Sequence, residues 1–239
     1  MWANNDRRFL LEPWWSELQA CQEEIMRLDP HPYYVENYRP AEVYYWHPIA
    51  SWLYSDVDEQ PPSSCLDIGC AYGTLLLYVR RLAACQAYGI DFINVYMSRS
   101  LRTEYGLHFA VSNIELDPLP WQKTFDIILL TEVLEHFNFN PIPTLQKIRE
   151  LLSPDGSLYL STPDALEWGR VTKYFSGYGQ MPMPIRLPGQ VIADDHIWLY
   201  DQTELLEIIG QAGLWVERID YSTGLSGRHF NLKLRRRNI

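Results

Sequence analysis

Two carboxylates lie close to a glycine-containing turn in the first half of this 239-residue chain. Asp67 precedes Gly69 and Gly73, and Asp91 ends the next short apolar run. Glycine permits positive φ angles and close backbone approach, and a helix that begins at such a turn offers free N–H groups to a ligand. A carboxylate at the end of the next strand can accept both hydroxyls of a ribose. This spacing predicts a nucleotide-binding turn.

The dinucleotide-binding fingerprint G-x-G-x-x-G does not fit this turn. It needs glycine at positions 71 and 74, where the sequence has Ala71 and Thr74. A short-chain dehydrogenase, by resemblance to that class, also needs a tyrosine with a lysine four residues later, and no tyrosine here has one. The sequence therefore disfavours an NAD-dependent reading of the turn.

Four further segments follow the turn in order. They are Asp91, residues 112–115 (Ser-Asn-Ile-Glu), residues 125–136, which end in Thr-Glu-Val-Leu-Glu-His, and residues 151–158, which contain Ser-Pro-Asp-Gly. Together with residues 67–73, which read D-x-G-x-A-x-G, they resemble the motifs of class I S-adenosylmethionine (SAM) dependent methyltransferases. The chain is similar to the small-molecule type, including the ubiquinone-biosynthesis and type 11, 12 and 23 domains. The resemblance covers roughly residues 60–165 and, more loosely, the C-terminal third.

This resemblance implies SAM as the cofactor and S-adenosylhomocysteine (SAH) as its product. The residues that it places around the cofactor are Asp67, Gly69, Cys70, Gly73, Asp91, Phe92, Asn113, Ile114, Thr131 and Glu132.

Strand-like and helix-like apolar runs alternate after residue 60. We expect strands at 64–68, 87–90, 108–112, 125–130, 157–161, 214–221 and 229–236, and helices at 73–84, 94–105, 141–152 and 202–212. This order predicts an α/β fold, a Rossmann-like doubly wound, mostly parallel seven-stranded sheet with an antiparallel last strand.

Two segments are expected to surround that core. Residues 1–60 predict an N-terminal helical cap, with helices over 10–28 and from 41 into 54, ahead of a SAM-binding methyltransferase domain over 61–239. Residues 165–200 are rich in Gly and Pro with Met, Ile and Leu between them. A long irregular insertion of this kind predicts a lid.

The formal net charge of −10 argues against a nucleic-acid partner, because phosphate contacts depend on Lys and Arg. The one basic run, residues 233–237, is interpreted as the solvated end of the last strand. The four cysteines have no metal or disulfide spacing, so we expect free thiols in a reducing compartment. No run approaches the ~20 apolar residues that cross a bilayer. We therefore expect a cytoplasmic protein with no membrane partner.

Two histidines follow segments at which the acceptor is expected to bind. His136 comes after the fourth strand, and His196 follows the lid directly after two aspartates. A neutral hydroxyl is a poor nucleophile, and a general base is worth roughly 10²–10⁴ in rate, with histidine the natural choice near neutral pH. We expect one of the two histidines to be the base, oriented by a nearby aspartate. Tyr33, Tyr38 and Tyr200 are the predicted substrate-binding residues.

Glu132, Glu135 and His136 form the pattern E-x-x-E-H. It resembles the pattern with which some ubiquinone-pathway O-methyltransferases hold a divalent cation, and it is also common in relatives that need no metal. Two carboxylates and a histidine could ligate Mg²⁺ with waters, but helix spacing and solvation explain them equally well. We expect no metal.

The predicted function is transfer of a methyl group from SAM to a small organic acceptor, a hydroxyl of a natural-product or sugar intermediate. N- or C-methylation of a small molecule or peptide is the alternative, as is a non-catalytic SAM-binding protein. A nucleic-acid amino-methyltransferase would, by family resemblance, carry an Asn- or Asp-Pro-Pro-aromatic motif where residues 131–134 read Thr-Glu-Val-Leu. The sequence leaves the oligomeric state open.

Overall fold

The computed structural model describes residues 11–223 and 227–237. Three stretches lie outside this range: the first ten residues of the predicted cap (1–10), residues 224–226 between the last two predicted strands, and residues 238–239. The strands are β1 (Ser64–Ile68), β2 (Gln86–Asp91), β3 (His108–Val111), β4 (Phe125–Thr131), β5 (Leu152–Pro163), β6 (Leu214–Thr223) and β7 (Arg228–Arg236). The helices are α1 (Pro13–Leu28), α2 (Arg39–Glu59), α3 (Thr74–Leu82), α4 (Arg99–Tyr105), α5 (Pro141–Leu151), α6 (Ala165–Trp168) and α7 (Gln202–Gln211).

The seven strands form one sheet in the order β3-β2-β1-β4-β5-β7-β6. The first five are parallel to one another, and β7 runs antiparallel to both of its neighbours, β5 and β6. The predicted Rossmann-like α/β class is confirmed. All five side chains of β1 are buried, because helices cover both faces of a central parallel strand.

The sheet has one apolar core on each face. Helices α1, α2 and α3 pack over one face around Leu18, Ile49 and Leu76. Helices α5 and α7 cover the other face, where Ile148 and Ile208 are buried. The alternation of strands and helices thus places the carboxyl ends of β1, β2 and β4 at one edge of the sheet, where ligands bind in such folds.

The predicted cap consists of α1, a single π-turn over Tyr34–Tyr38, and α2. Helix α2 is interrupted at Trp46, whose φ is −145°. Pro48, two residues later, lacks a backbone N–H and its ring crowds the preceding turn, which explains the break. The helix predicted over 94–105 begins only at Arg99, because the Ser98 hydroxyl caps its N-terminus by accepting a hydrogen bond from the N–H of Leu101.

Residues 165–200 are largely irregular, as expected. Between α6 and α7 the regular structure is one short 3₁₀ turn, Tyr178–Gln180. Backbone bonds tie the segment to the loop after β4: the N–H of Asn140 donates to the carbonyl of Pro182, and that of Ile197 to the carbonyl of Glu135. A lid function for the segment stays a prediction. Among the described residues, no helix is both long and apolar enough to cross a membrane.

Candidate functional site

The glycine loop, residues 69–73, leads from β1 into α3. Gly69, Ala71 and Gly73 have φ values of 70°, 42° and 82°. An alanine in this left-handed region costs about 1–2 kcal/mol, so the surrounding contacts must hold the loop in shape. A Cβ atom added at Gly69 would overlap Cγ2 of Val133. Glycine is therefore required at position 69 by the packing of Val133 against the loop.

Asp91, the last residue of β2, anchors the loop from the side. Its Oδ2 accepts a hydrogen bond from the N–H of Ala71 at 3.1 Å, and its Oδ1 accepts one from the N–H of Ile93 at 3.3 Å. Burial raises the pKa of this carboxyl. Each oxygen can still accept a second bond, as recognition of two ribose hydroxyls requires.

A cavity of about 390 Å³ opens beside the loop, a volume within the usual range for small-ligand sites. One end is formed by residues that follow β2 and β3, namely Phe92, Ser112, Asn113 and Ile114. The other end is formed by residues of the cap and of the loop after β4, namely Tyr33, Tyr38, Glu132, Val133 and His136. Ile192, Ala193 and Asp194 reach the cavity from the irregular segment.

The first end of the cavity is braced by an Asx-type turn and a buried carboxyl. Asn113 Oδ1 accepts from the N–H of Glu115 at 2.8 Å. Glu115 in turn accepts from the N–H groups of Asn138 and Phe139 at 3.0 and 2.9 Å. Burial raises the pKa of Glu115 to about 7. These bonds fix the loops after β3 and β4 relative to each other.

The opposite end contains two neighbouring imidazoles. The rings of His136 and His196 lie 4.9 Å apart in an edge-to-face arrangement. Burial lowers the pKa of His136, and burial together with the nearby His136 lowers that of His196. Both rings are thereby favoured in the neutral form, which can accept a proton. His136 lines the cavity, whereas His196 contacts His136 and is not one of the lining residues.

Glu132 directly follows the last residue of β4 and has an unusual backbone conformation. Its φ is 54°, a left-handed value that is rare for a residue with a side chain. Ser161 Oγ donates to Oε1 at 2.7 Å, and Nδ1 of the fully buried His229 lies 2.8 Å from Oε2. The His229 ring packs 4.9 Å from Tyr45 and 5.1 Å from Trp168. These contacts hold the side chain of Glu132 in place at the cavity wall.

One group in the described residues has the dimensions of a cation site. One ligand atom each from Glu135, His136 and His196 lie within 4.8 Å of one another. The set differs from the predicted pattern, because the carboxylate oxygens of Glu132 contact Ser161 and His229 instead. The expectation that no metal binds stays a prediction.

The sequence pattern of a family described as Methyltransferase domain matches residues 49–219, which is well over half of the chain. The chain belongs to the methyltransferase domain family. No curated protein matches the sequence at a significant level.

Solved structures share the fold of this methyltransferase at low identity. The 1,6-didemethyltoxoflavin-N1-methyltransferase of Burkholderia thailandensis, with bound 1,6-didemethyltoxoflavin and SAH, is 16% identical, with 90% of this chain and 89% of that chain covered and a TM-score of 0.62. The magnesium protoporphyrin IX methyltransferase of Synechocystis PCC 6803, with bound SAH, is 14% identical, with 94% and 87% covered and a TM-score of 0.55.

A third structure, the [4+2]-cyclase SpnF, is 17% identical, with 81% of this chain and 86% of that chain covered and a TM-score of 0.57. The fold by itself therefore does not name a reaction. The family match identifies this chain as a SAM-dependent methyltransferase, and SAM is its cofactor.

The methyltransferase brings six of the ten predicted cofactor residues to the cavity: Gly69, Asp91, Phe92, Asn113, Ile114 and Glu132. The other four do not line it. Asp67 is buried in β1, where it accepts a hydrogen bond from the N–H of Leu76. Cys70 and Gly73 belong to the loop, and Thr131 is the last residue of β4. The contact of each with SAM stays a prediction.

The three predicted substrate tyrosines are separated by the fold. Tyr33 and Tyr38 line the cavity. Tyr200 does not; it is fully buried in the core, 6.3 Å from the ring of Tyr178.

Several cavity residues escaped sequence reasoning. Tyr72 lies within the turn motif at a variable position, and its ring is 5.2 Å from those of Tyr38 and Tyr96, so the three form an aromatic wall. Glu115 belongs to the segment 112–115 that resembles a family motif, but its bracing role was not foreseen. His229 lies on β7, far along the chain, and no local signal connects it with Glu132.

Proposed function

We propose that this methyltransferase transfers the methyl group to a hydroxyl oxygen of a small organic acceptor, a natural-product or sugar intermediate. The observation that supports this is the imidazole of His136 on the cavity wall, where burial lowers its pKa and so favours the neutral form. A hydroxyl must lose its proton as it attacks, and a neutral histidine is a suitable base.

The residues of the cavity fit SAM. Asp91 offers carboxylate oxygens for the ribose hydroxyls, and Phe92 and Ile114 offer apolar faces for the adenine ring. Gly69 and Ala71 of the glycine loop line the cavity and lie where the methionine portion would contact the main chain. When bound, SAM supplies a methyl group already activated by its positive sulfur.

On the acceptor side, His136 accepts the hydroxyl proton and Tyr33 and Tyr38 contact the acceptor. The nearby charges of Asp194 and Glu132 favour the protonated ring, and the buried carboxyl of Glu135 lies beside it, with Oε1 3.9 Å from His136 Nε2. Holding acceptor and donor in line supplies much of the remaining acceleration, up to about 7–11 kcal/mol for well-aligned groups.

N-methylation is the second candidate. The Burkholderia thailandensis relative is named as an N1-methyltransferase. The described residues that line the cavity include the carboxylates of Asp91, Glu115, Glu132 and Asp194 and no lysine or arginine. Such a wall also suits an acceptor that carries an amine.

The first experiment is calorimetric titration with SAM, SAH and NAD in parallel, followed by a screen of phenols, sugars and amines for SAH release. We expect micromolar binding of the two adenosyl ligands alone. Binding of NAD alone, or of none of the three, would refute the cofactor assignment. Turnover of amines but not of hydroxyl compounds would favour the second candidate.

The base assignment is tested with His136→Ala on the acceptor found by the screen. We expect turnover to fall about a hundredfold or more while the dissociation constant of SAH stays within about twofold. His108→Ala is the matched control, because His108 is an exposed residue of β3 that stacks on Tyr88 away from the cavity. Full activity of His136→Ala would show that another group is the base.

A further inference from the structure

A buried carboxylate outside the cavity joins three elements next to the glycine loop. Glu42, near the start of α2, is 1% exposed. Thr74 Oγ1 donates to its Oε1 at 2.5 Å, and Gln22 Nε2 and Tyr34 OH donate to its Oε2 at 2.8 and 3.4 Å. These donors belong to α3, α1 and the π-turn before α2.

Thr74 connects this carboxylate to the cofactor loop. It is the first residue of α3 and directly follows Gly73. Within the loop, the N–H of Ala71 is held by Asp91 at 3.1 Å. Backbone bonds from the N–H groups of Gly69 and Cys70 to the carbonyl of Ile90 hold the start of the loop. The left-handed backbone of Ala71 depends on side-chain anchors of this kind as well. The bond between Thr74 and Glu42 fixes the end of the loop that Asp91 does not reach.

The same cluster reaches the wall of the cavity. The hydroxyl of Tyr34 lies 3.2 Å from Thr74 Oγ1, and its ring is 4.7 Å from that of Tyr72, which lines the cavity. Tyr38 lines the cavity too, and after burial the charge of Glu42 is the largest influence that raises its pKa. Glu42 therefore acts electrostatically on a side chain of the site.

We infer that Glu42 is a positioning residue for the cofactor: through Thr74 it fixes the glycine loop, and its negative charge at the start of α3 favours positively charged SAM over SAH. SAH lacks the sulfonium charge and is neutral overall. A buried charge is little screened, so the difference of one positive charge is felt at the site. The inference rests on the proposed use of SAM.

Burial raises the pKa of Glu42 to about 7, so the carboxylate gains its charge near neutral pH. The titratable or charged groups that face it are Cys21 of α1, Tyr34 and Tyr38 of the π-turn, and Arg39 of α2. Burial raises the pKa of Cys21 to about 12 and those of both tyrosines well above their usual range. An arginine keeps its charge throughout. None of these neighbours therefore titrates with Glu42.

The test is calorimetric titration of the purified chain with SAM and with SAH at about pH 5.5, 7 and 8.5, which bracket the titration of Glu42. The quantity followed is the dissociation constant of SAH divided by that of SAM. The α-amino group is common to both ligands, so its titration largely cancels. For the wild type we expect the ratio to rise about tenfold from the lowest to the highest pH, within the usual range of coupling between sites. For Glu42→Gln we expect a clearly smaller rise, of which the remainder belongs to Glu115 on the cavity wall, whose pKa is also about 7.

Two Thr74 variants test the positioning part. Thr74→Val keeps the shape of the side chain and removes the donor, so we expect SAM and SAH to bind about five- to tenfold more weakly, in equal measure. Thr74→Ser keeps the hydroxyl and should bind both ligands as the wild type does.

Each outcome decides a separate point. A flat ratio in the wild type, or an unchanged slope in Glu42→Gln, would overturn the role of the charge. Wild-type affinity in Thr74→Val would overturn the positioning role. If Glu42→Gln did not fold, a flat wild-type ratio would still overturn the role of the charge and the Thr74 variants would still decide the positioning role. A rising ratio would then be assigned with Glu115→Gln, which removes the other carboxyl on the cavity wall with a pKa of about 7: a rise that disappears in this variant would overturn the role of Glu42. Failure of the wild type to bind either ligand at any pH would instead refute the proposed function.

Discussion

Replacing Gly69 by Ala should destabilise the chain and weaken SAM binding at once. Gly69 has φ 70°, and a Cβ atom there would overlap Cγ2 of Val133. The left-handed backbone costs an alanine about 1–2 kcal/mol. Forcing a methyl group into a filled space costs about a further 1–3 kcal/mol. We therefore expect the free energy of unfolding to fall by about 2–5 kcal/mol in total.

Urea unfolding of four variants separates the two parts of this cost. The variants are Gly69→Ala, Val133→Ala, the double variant, and Gly106→Ala as the matched control. Gly106 has a similar φ of 64°, but its added Cβ would meet nothing within 4 Å. The control should lose only the backbone part, about 1–2 kcal/mol. In the double variant, Val133→Ala makes room for the methyl group and should recover about 1–3 kcal/mol relative to the sum of the single changes.

SAM affinity, measured calorimetrically on the same proteins, should fall in Gly69→Ala and stay unchanged in Gly106→Ala. Equal unfolding free energies for Gly69→Ala and Gly106→Ala would refute the overlap with Val133. The same holds if the two single changes at 69 and 133 were strictly additive. Either result would mean that the loop shifts freely to accommodate a side chain.

Three further changes test other contacts. Asp91→Asn should weaken SAH binding about tenfold or more, since hydrogen bonds to a charged group are worth about 1.5–3 kcal/mol. An unchanged dissociation constant of SAH in calorimetry would contradict the assignment of Asp91 to the ribose. The pKa of Glu42 is raised from 4.5 to about 7 in the folded chain, so its contribution to stability is complete below pH 4.5 and is lost as the pH rises to 7. Glu42→Gln should therefore be more stable than the wild type at pH 8, by up to about 3 kcal/mol, and not at pH 4.5, as urea unfolding at both pH values would reveal. His229→Phe keeps a ring between Tyr45 and Trp168 and removes the nitrogen that lies 2.8 Å from Glu132. Turnover should fall about tenfold with the KM for SAM nearly unchanged. A wild-type rate would show that Glu132 needs no partner.

Much of the fold follows from local patterns in the sequence. β1, the glycine turn and α3 are contiguous in the chain, so local residue types are enough to predict them. Most strand and helix bounds after residue 60 agree with the structure within a few residues. Helix α4 is one exception, since Ser98 offers a cap that spacing alone does not reveal. Strand β5 is the other, since it begins at Leu152, five residues before the predicted start at residue 157. Helix α7 begins where it was predicted, and the carboxylate of Asp201 caps it by accepting the N–H of Glu204.

The acceptor side of the site was less predictable. His196 meets His136 because the N–H of Ile197 pairs with the carbonyl of Glu135, sixty-odd residues earlier in the chain. Tyr200 was predicted at the acceptor and is instead packed in the core, since an aromatic side chain beside the site and one beneath it look alike in sequence.

The sequence by itself determined the glycine turn, the succession of strands and helices along the chain and the family, because these depend on short-range spacing of glycine, carboxylate and apolar residues. Only the tertiary structure decided which distant side chains share a contact: Glu42 with Thr74, and Glu132 with His229. Both contacts join segments far apart in the chain, and their formation depends on how helices and strands pack around the sheet. Packing of that kind leaves no periodic trace in the sequence, which is why a buried carboxylate and a buried histidine became visible only in the folded chain.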